Sequence, residues 1–164
     1  MNKPFARLLA IFISALTVTA CSTIAAAPET TPPPPAILHV LADVSFRPAL
    51  NKMKSHFTDS TGFDVKITYG PSGRLSEKIL DGFAADVFFP ADEPSLDRLR
   101  DKGLLDVALL KNILVQIHPD ADPTYLAAAV LTGSVNRLQA MAFIDFLASE
   151  PARIVFSAHG LTPP

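Results

Sequence analysis

The sequence predicts an α/β domain with a mostly parallel sheet flanked by helices. Two observations carry that reading. Short apolar runs alternate with segments of helical apolar spacing three times between residues 37 and 103. Each change of period is punctuated by Gly62, Gly70-Pro71, Gly82 or Gly103. Strands and helices that alternate in this way favour parallel strands joined by covering helices.

The elements follow in chain order. Residues 37–42 form a β-branched apolar run and predict a buried strand. Pro48 stands where a first helical turn tolerates its missing N–H, Ala49, Leu50, Met53 and Phe57 recur at helical spacing, and Thr61-Gly62 closes the helix. Residues 63–69 alternate as a second strand. The turn Gly70-Pro71-Ser72-Gly73 leads into a helix marked by Leu75, Ile79 and Leu80 and stopped by Gly82. Residues 85–89 predict a third strand with Phe88 and Phe89 in the core, and Asp92 to Ser95 opens a helix carrying Leu96 and Leu99. The apolar runs 113–117 and 126–131 are separated by His118-Pro119-Asp120-Ala121-Asp122-Pro123. That turn chemistry predicts an antiparallel hairpin at 113–131. A helix is expected from about Val135 to Leu147, with Leu138, Met141, Ala142, Ile144 and Phe146 as its apolar positions, followed by a short helix from Pro151.

Ahead of this domain, Lys3 and Arg7 precede an apolar run from Leu8 to Ala20. The run is too short for a permanent span, and its basic flank fits a secretory leader. Val18-Thr19-Ala20-Cys21 resembles a bacterial lipobox, which implies a signal peptide over 1–20, lipidation of Cys21 and a periplasmic, membrane-anchored protein. The alternative is cleavage after Ala25-Ala26-Ala27, where the following Pro28 is a poor context. Residues 21–36, with Pro32 to Pro35, read as a semi-extended tether, leaving 37–164 as one lobe-sized domain.

Composition narrows the function. Of the 14 basic residues Lys3 and Arg7 belong to the leader, so 12 stand against 16 acidic ones in the remainder, and no basic run suggests nucleic acid. The one cysteine excludes an internal disulfide, and His39, His56, His118 and His159 show no metal-ligand spacing. No metal or resident cofactor is expected.

In an open α/β sheet the binding crevice lies beyond the carboxyl ends of the strands. Those ends carry Asp43-Val44-Ser45, Gly70-Pro71-Ser72-Gly73 and Pro90-Ala91-Asp92. Ser45 and Ser72 are expected at helix starts, where backbone N–H groups and a hydroxyl suit a small anion. Serine is also a favoured N-cap, but two at adjacent strand ends point beyond capping. Asp92 is expected to cap a helix and Asp86 to accept from loop amides. Neither serine has a G-x-S-x-G context or an evident His partner, so an enzyme is not expected.

Val40-Leu41-Ala42-Asp43-Val44-Ser45-Phe46, Tyr69-Gly70-Pro71-Ser72-Gly73-Arg74-Leu75, Ala84 to Asp92 and Leu161-Thr162-Pro163-Pro164 resemble the periplasmic molybdate-binding proteins of ABC transporters. The resemblance implies one lobe of a type II periplasmic-binding-protein fold. Lys111-Asn112 resembles the family's exit from the first lobe and 126–133 its return, so the hairpin stands where the family carries a second lobe. It further implies a solute receptor that holds molybdate or tungstate through Ser45 and Ser72, serving an ABC permease or pairing with a chain that supplies the second lobe. Second-lobe donors have no counterpart here, and Tyr125 beside the turn does not match their context. Asp43 replaces a small apolar residue of the family, and a carboxylate there is expected to repel a dianion. Weak oxyanion binding is the expectation; a lipoprotein kept for protein interaction or structure, with no anion ligand, is the alternative.

Overall fold

The computed structural model describes residues 37–118 and 121–164. The leader 1–20, Cys21, the tether 21–36 and the centre of the 118–123 turn lie outside the described residues.

The chain runs β1 (Leu38–Asp43), a 3-10 turn (Val44–Phe46), α1 (Arg47–Thr61), β2 (Val65–Gly70), α2 (Ser72–Leu80), β3 (Val87–Phe89), α3 (Glu93–Asp101), a second 3-10 turn (Val107–Leu109), β4 (Lys111–His118), β5 (Ala121–Val130), α4 (Arg137–Leu147) and α5 (Glu150–Ala158). The strands form a single sheet in the order β2-β1-β3-β5-β4. β1 pairs in parallel with β2 on one side and β3 on the other, from Leu38↔Val65 to Asp43↔Gly70 and from Val40↔Val87 to Ala42↔Phe89. β5 runs antiparallel to both β3 and β4. The sheet is therefore mixed, its parallel part being the three alternating βα units and its antiparallel part the hairpin.

The expected hairpin forms, with strands longer than the apolar runs suggested. β4 starts at Lys111 and β5 at Ala121, so pairing continues into the proline-aspartate segment. Pro123 is accommodated because it falls where the register shifts between Gln116 and His118, and a bulge does not need every N–H.

Side-chain alternation builds three layers. Leu38, Val40 and Ala42 of β1, Val87 and Phe89 of β3, and Leu126, Ala128 and Val130 of β5 belong to one apolar cluster with residues of α1, α4 and α5. Their neighbours Leu41, Phe88, Ala127 and Ala129 face the opposite way, into a cluster with Leu75 and Ile79 of α2 and Leu96 and Leu99 of α3. A period of two on strands covered on both faces produces this division.

Two local expectations need correction. α4 begins at Arg137, and its buried stripe is Ala140, Phe143, Ile144 and Leu147. Leu138 is 76 % exposed and Val135 92 %. The spacing 140, 143, 144, 147 is the i, i+3, i+4, i+7 stripe, whereas Leu138 lies in the first turn away from it. The two 3-10 turns carry no periodicity and were not expected. α1 ends as the sequence implies: Gly62 takes φ 74°, and its N–H reaches Thr58 O at 2.8 Å.

Candidate functional site: a ring of donors at the carboxyl edge of β1

The three parallel strands place their following loops side by side. With β1 between β2 and β3, the chain leaves β1 for α1 on one face of the sheet and leaves β2 for α2 on the other before reaching β3, which opens the crevice position of an α/β sheet at the carboxyl end of β1. Asp43 is the last residue of β1 and Ser45 the centre of the turn after it. Ser72 is the first residue of α2, and Ala91 follows β3. Four residues from three separate loops meet here.

The Asp43 carboxylate is the centre of the arrangement. Its Oδ1 accepts the Ser45 N–H at 3.0 Å and the Ser45 hydroxyl at 2.8 Å. Its Oδ2 accepts the Ser72 N–H at 3.0 Å and the Ser72 hydroxyl at 2.6 Å. Ala91 N–H donates to Ser72 Oγ at 2.9 Å. That contact occupies the hydroxyl oxygen from the β3 side while the hydroxyl proton points at Asp43.

The local chain explains why. Extended backbone at Asp43 (φ −59°, ψ 145°) lets its side chain curl back onto the N–H two residues ahead, the aspartate turn. Pro71 is the N-cap of α2 and has no side-chain acceptor, so the Ser72 N–H is an orphan of the first helical turn. Asp43 supplies the missing acceptor from 29 residues away.

Ser45 and Ser72 are thus brought together as the sequence predicted, with a difference of role. Neither caps its helix; both donate. Ser72 is buried and Ser45 exposed. Asp43, expected only to repel an incoming dianion, is itself the anion that the donors hold. Burial pushes its carboxyl up, but the hydrogen bonds from Ser72 and Ser45 outweigh that and hold it below the usual 3.8. The Ala91 amide was not foreseen, because a backbone donor leaves no mark in side-chain pattern.

A depressed carboxyl pKa has a definite linkage sign. The contribution to stability is full above the ordinary value of 3.8 and is lost as pH falls through the lower folded value. The stability difference between the protein and Asp43→Ala, measured by urea denaturation, is expected to hold from neutrality to about pH 5 and to shrink below about pH 4. A difference that is constant down to the acid limit would contradict the hydrogen bonds.

Beside this ring the Arg47 guanidinium lies 5.0 Å from the Tyr69 ring centre, and Tyr69 donates to Asn51 Oδ1 at 2.9 Å. Burial pushes the Tyr69 phenol up to about 12 against the opposing pull of Arg47, so it remains a neutral donor. Asp86 and Asp92 do not form a carboxylate pair. Asp92 accepts the Ser95 N–H at 2.8 Å as the cap of α3. Asp86, at the other end of β3, accepts from His39 N, Ser134 Oγ and Asn136 Nδ2.

Chemically the ring can hold one anionic group through two N–H and two O–H donors, with no cation in contact among the described residues. Residues 38–123 match the family described as bacterial extracellular solute-binding protein, which is more than half of the chain. The molybdate-binding protein ModA of Escherichia coli (strain K12) is 34% identical over 86 residues, covering 50% of this chain and 34% of that relative. The match therefore spans about a third of the curated relative's length. Among solved structures, a substrate-binding domain assigned to a molybdenum ABC transporter from Clostridium difficile superposes with a TM-score of 0.73 at 14% identity, covering 78% of this chain and 99% of that one. The periplasmic molybdate-binding protein of Azotobacter vinelandii gives 0.70 at 14% identity over 77% and 99%. At such identities these two likenesses establish the fold. The family match establishes membership: the chain belongs to the bacterial extracellular solute-binding proteins.

Proposed function

We propose that this member of the bacterial extracellular solute-binding protein family is the ligand-recognising lobe of a lipid-anchored oxyanion receptor. Its ligand is a tetrahedral dianion of the molybdate and tungstate class, and Ser45 and Ser72 are its donors. The observation that carries this reading is the convergence of two serine N–H and two serine O–H groups on one anionic group at the crevice position of the sheet. Recognition by neutral donors suits an anion that must later be released, because each bond to a charge contributes only about 1.5–3 kcal/mol net. The molybdate-binding names of the relatives support the ligand class. The leader, Cys21 and the proline tether support a periplasmic lobe held near a membrane, where an ABC permease or a chain with the second lobe is the partner. Relatives named as solute-binding and molybdate-binding proteins support a receptor over an enzyme.

Binding is expected to be weak, because only the short stretch from His118 to Tyr125 stands where the resemblance implies a second lobe with further donors. Missing about three charge-assisted bonds costs about 4–9 kcal/mol, or three to six decades of affinity. Calorimetric titration of the full chain with molybdate, tungstate and sulfate tests the reading. Weak binding of the first two is expected, and the double variant Ser45→Ala, Ser72→Ala should lose it. Equal affinities in protein and double variant would place the ligand elsewhere. The same hairpin favours a second reading, a lipoprotein kept for protein interaction, which gains ground if no oxyanion binds in any form of the protein.

A further inference from the structure

We infer that Asp43 is a resident ligand: its carboxylate closes the receptor ring, and a soluble oxyanion binds only by displacing it. The inference rests on the oxyanion reading of this site for the identity of the competitor, but not for the closure itself.

The geometry is that of a bound anion. Each carboxylate oxygen takes one N–H and one O–H from a single serine, at 3.0 and 2.8 Å from Ser45 and at 3.0 and 2.6 Å from Ser72. A serine hydroxyl has one proton, and a backbone amide has one. All four protons are therefore committed to Asp43, so none of these donors is free for a second acceptor. Any oxyanion that uses Ser45 and Ser72 must first break these bonds and leave an ionised carboxylate beside a dianion. Two costs then oppose binding: the lost hydrogen bonds and like-charge repulsion at a few ångströms.

The carboxylate is attached by the chain, so its competition does not fall with dilution. The device needs no second domain to shut it. It joins β1 to α2 across 29 residues, and through Ser72, which accepts the Ala91 N–H, it reaches the loop after β3. Asp43 also sits at the N-terminus of α2, where the helix dipole favours a negative charge whether it comes from the chain or from solution. The position acts on specificity: it sets a threshold that only an anion with stronger or more numerous contacts passes.

Two probes separate the closure from the receptor reading. Molybdate titrations of the full chain and of Asp43→Ala are expected to differ by about tenfold or more in favour of the variant. Formate, which carries the missing carboxylate, is expected to raise the melting temperature of Asp43→Ala while leaving the unaltered protein unchanged. Both results together support resident occupancy and the oxyanion site. Formate rescue without molybdate binding supports occupancy and removes the oxyanion reading. Equal molybdate affinities in the two proteins overturn the inference and leave the receptor reading standing. A folded Asp43→Ala that responds to neither probe overturns the inference. Should that variant not fold, Asp43→Asn takes its place in the molybdate titration. It keeps the shape but turns an NH₂ towards protons that need an acceptor, so its affinity should exceed that of the unaltered protein. An affinity no higher would overturn the closure.

Discussion

Phe89→Ala is expected to lower the melting temperature of the domain by about 10–20 °C. Phe89 is fully buried, stacks on Phe46 with centroids 4.5 Å apart, and meets Phe156 edge-on at 6.5 Å. It is the joint between the sheet, the turn after β1 and α5. Truncating a buried phenylalanine costs about 3–5 kcal/mol, because the lost burial is compounded by a cavity that rigid neighbours fill poorly. Each kcal/mol shifts the melting point of a domain of this size by about 3–5 °C. The effect reaches the site as well. Phe46 directly follows Ser45, so losing its stacking partner loosens the turn that aims the Ser45 donors. Calorimetry measures the first consequence, and faster hydrogen exchange of the Ser45 amide the second. A shift of only a few degrees would mean that Phe156 and α5 collapse into the space.

Asp86→Ala is expected to cost about 3–5 kcal/mol, several times more than the same change at Asp92. Both are aspartates flanking β3, so the contrast isolates environment from residue type. Asp86 is 4 % exposed and fastens three segments by accepting His39 N–H at 2.8 Å, Ser134 O–H at 2.7 Å and an Asn136 amide proton at 3.1 Å. Without it, part-buried donors lose their acceptor, and the return of the chain from β5 to α4 is no longer tied to β1. Asp92 makes a single cap bond to Ser95 N, and replacing such a cap costs about 1 kcal/mol. Urea denaturation of both variants gives the comparison directly. Similar losses at the two positions would show that the Asp86 donors find other partners.

Much of this fold was legible in the residues. Glycine and proline mark the ends of α1, α2 and α3, and the β1 alternation of Val40 and Ala42 against Leu41 already describes a strand covered on both faces. The pairing of β4 with β5 was readable from two apolar runs about a proline-aspartate turn. Asp92 as a cap was equally readable, since its partner Ser95 lies three residues on. Asp86, expected to accept from loop amides, accepts instead from the β1 amide of His39 and from the side chains of Ser134 and Asn136, 47 to 50 residues away. The face of α4 was misjudged because it holds more apolar residues than it buries, and only packing against α1 and β5 selects Phe143 over Leu138.

By itself, then, the sequence determined the order of elements, the presence of one α/β lobe with a hairpin, and the placing of Ser45 and Ser72 at one edge of the sheet. These follow from period and punctuation, which are properties of a few consecutive residues. The tertiary structure alone decided the strand order, the arrival of the Ala91 amide at Ser72, and the turning of Asp43 into the ring it was expected merely to disturb. The physical reason is that an orphan N–H or O–H is satisfied by whichever acceptor the fold brings within about 3 Å. For Ser72 that acceptor is 29 residues away along the chain, and no local pattern records the distance.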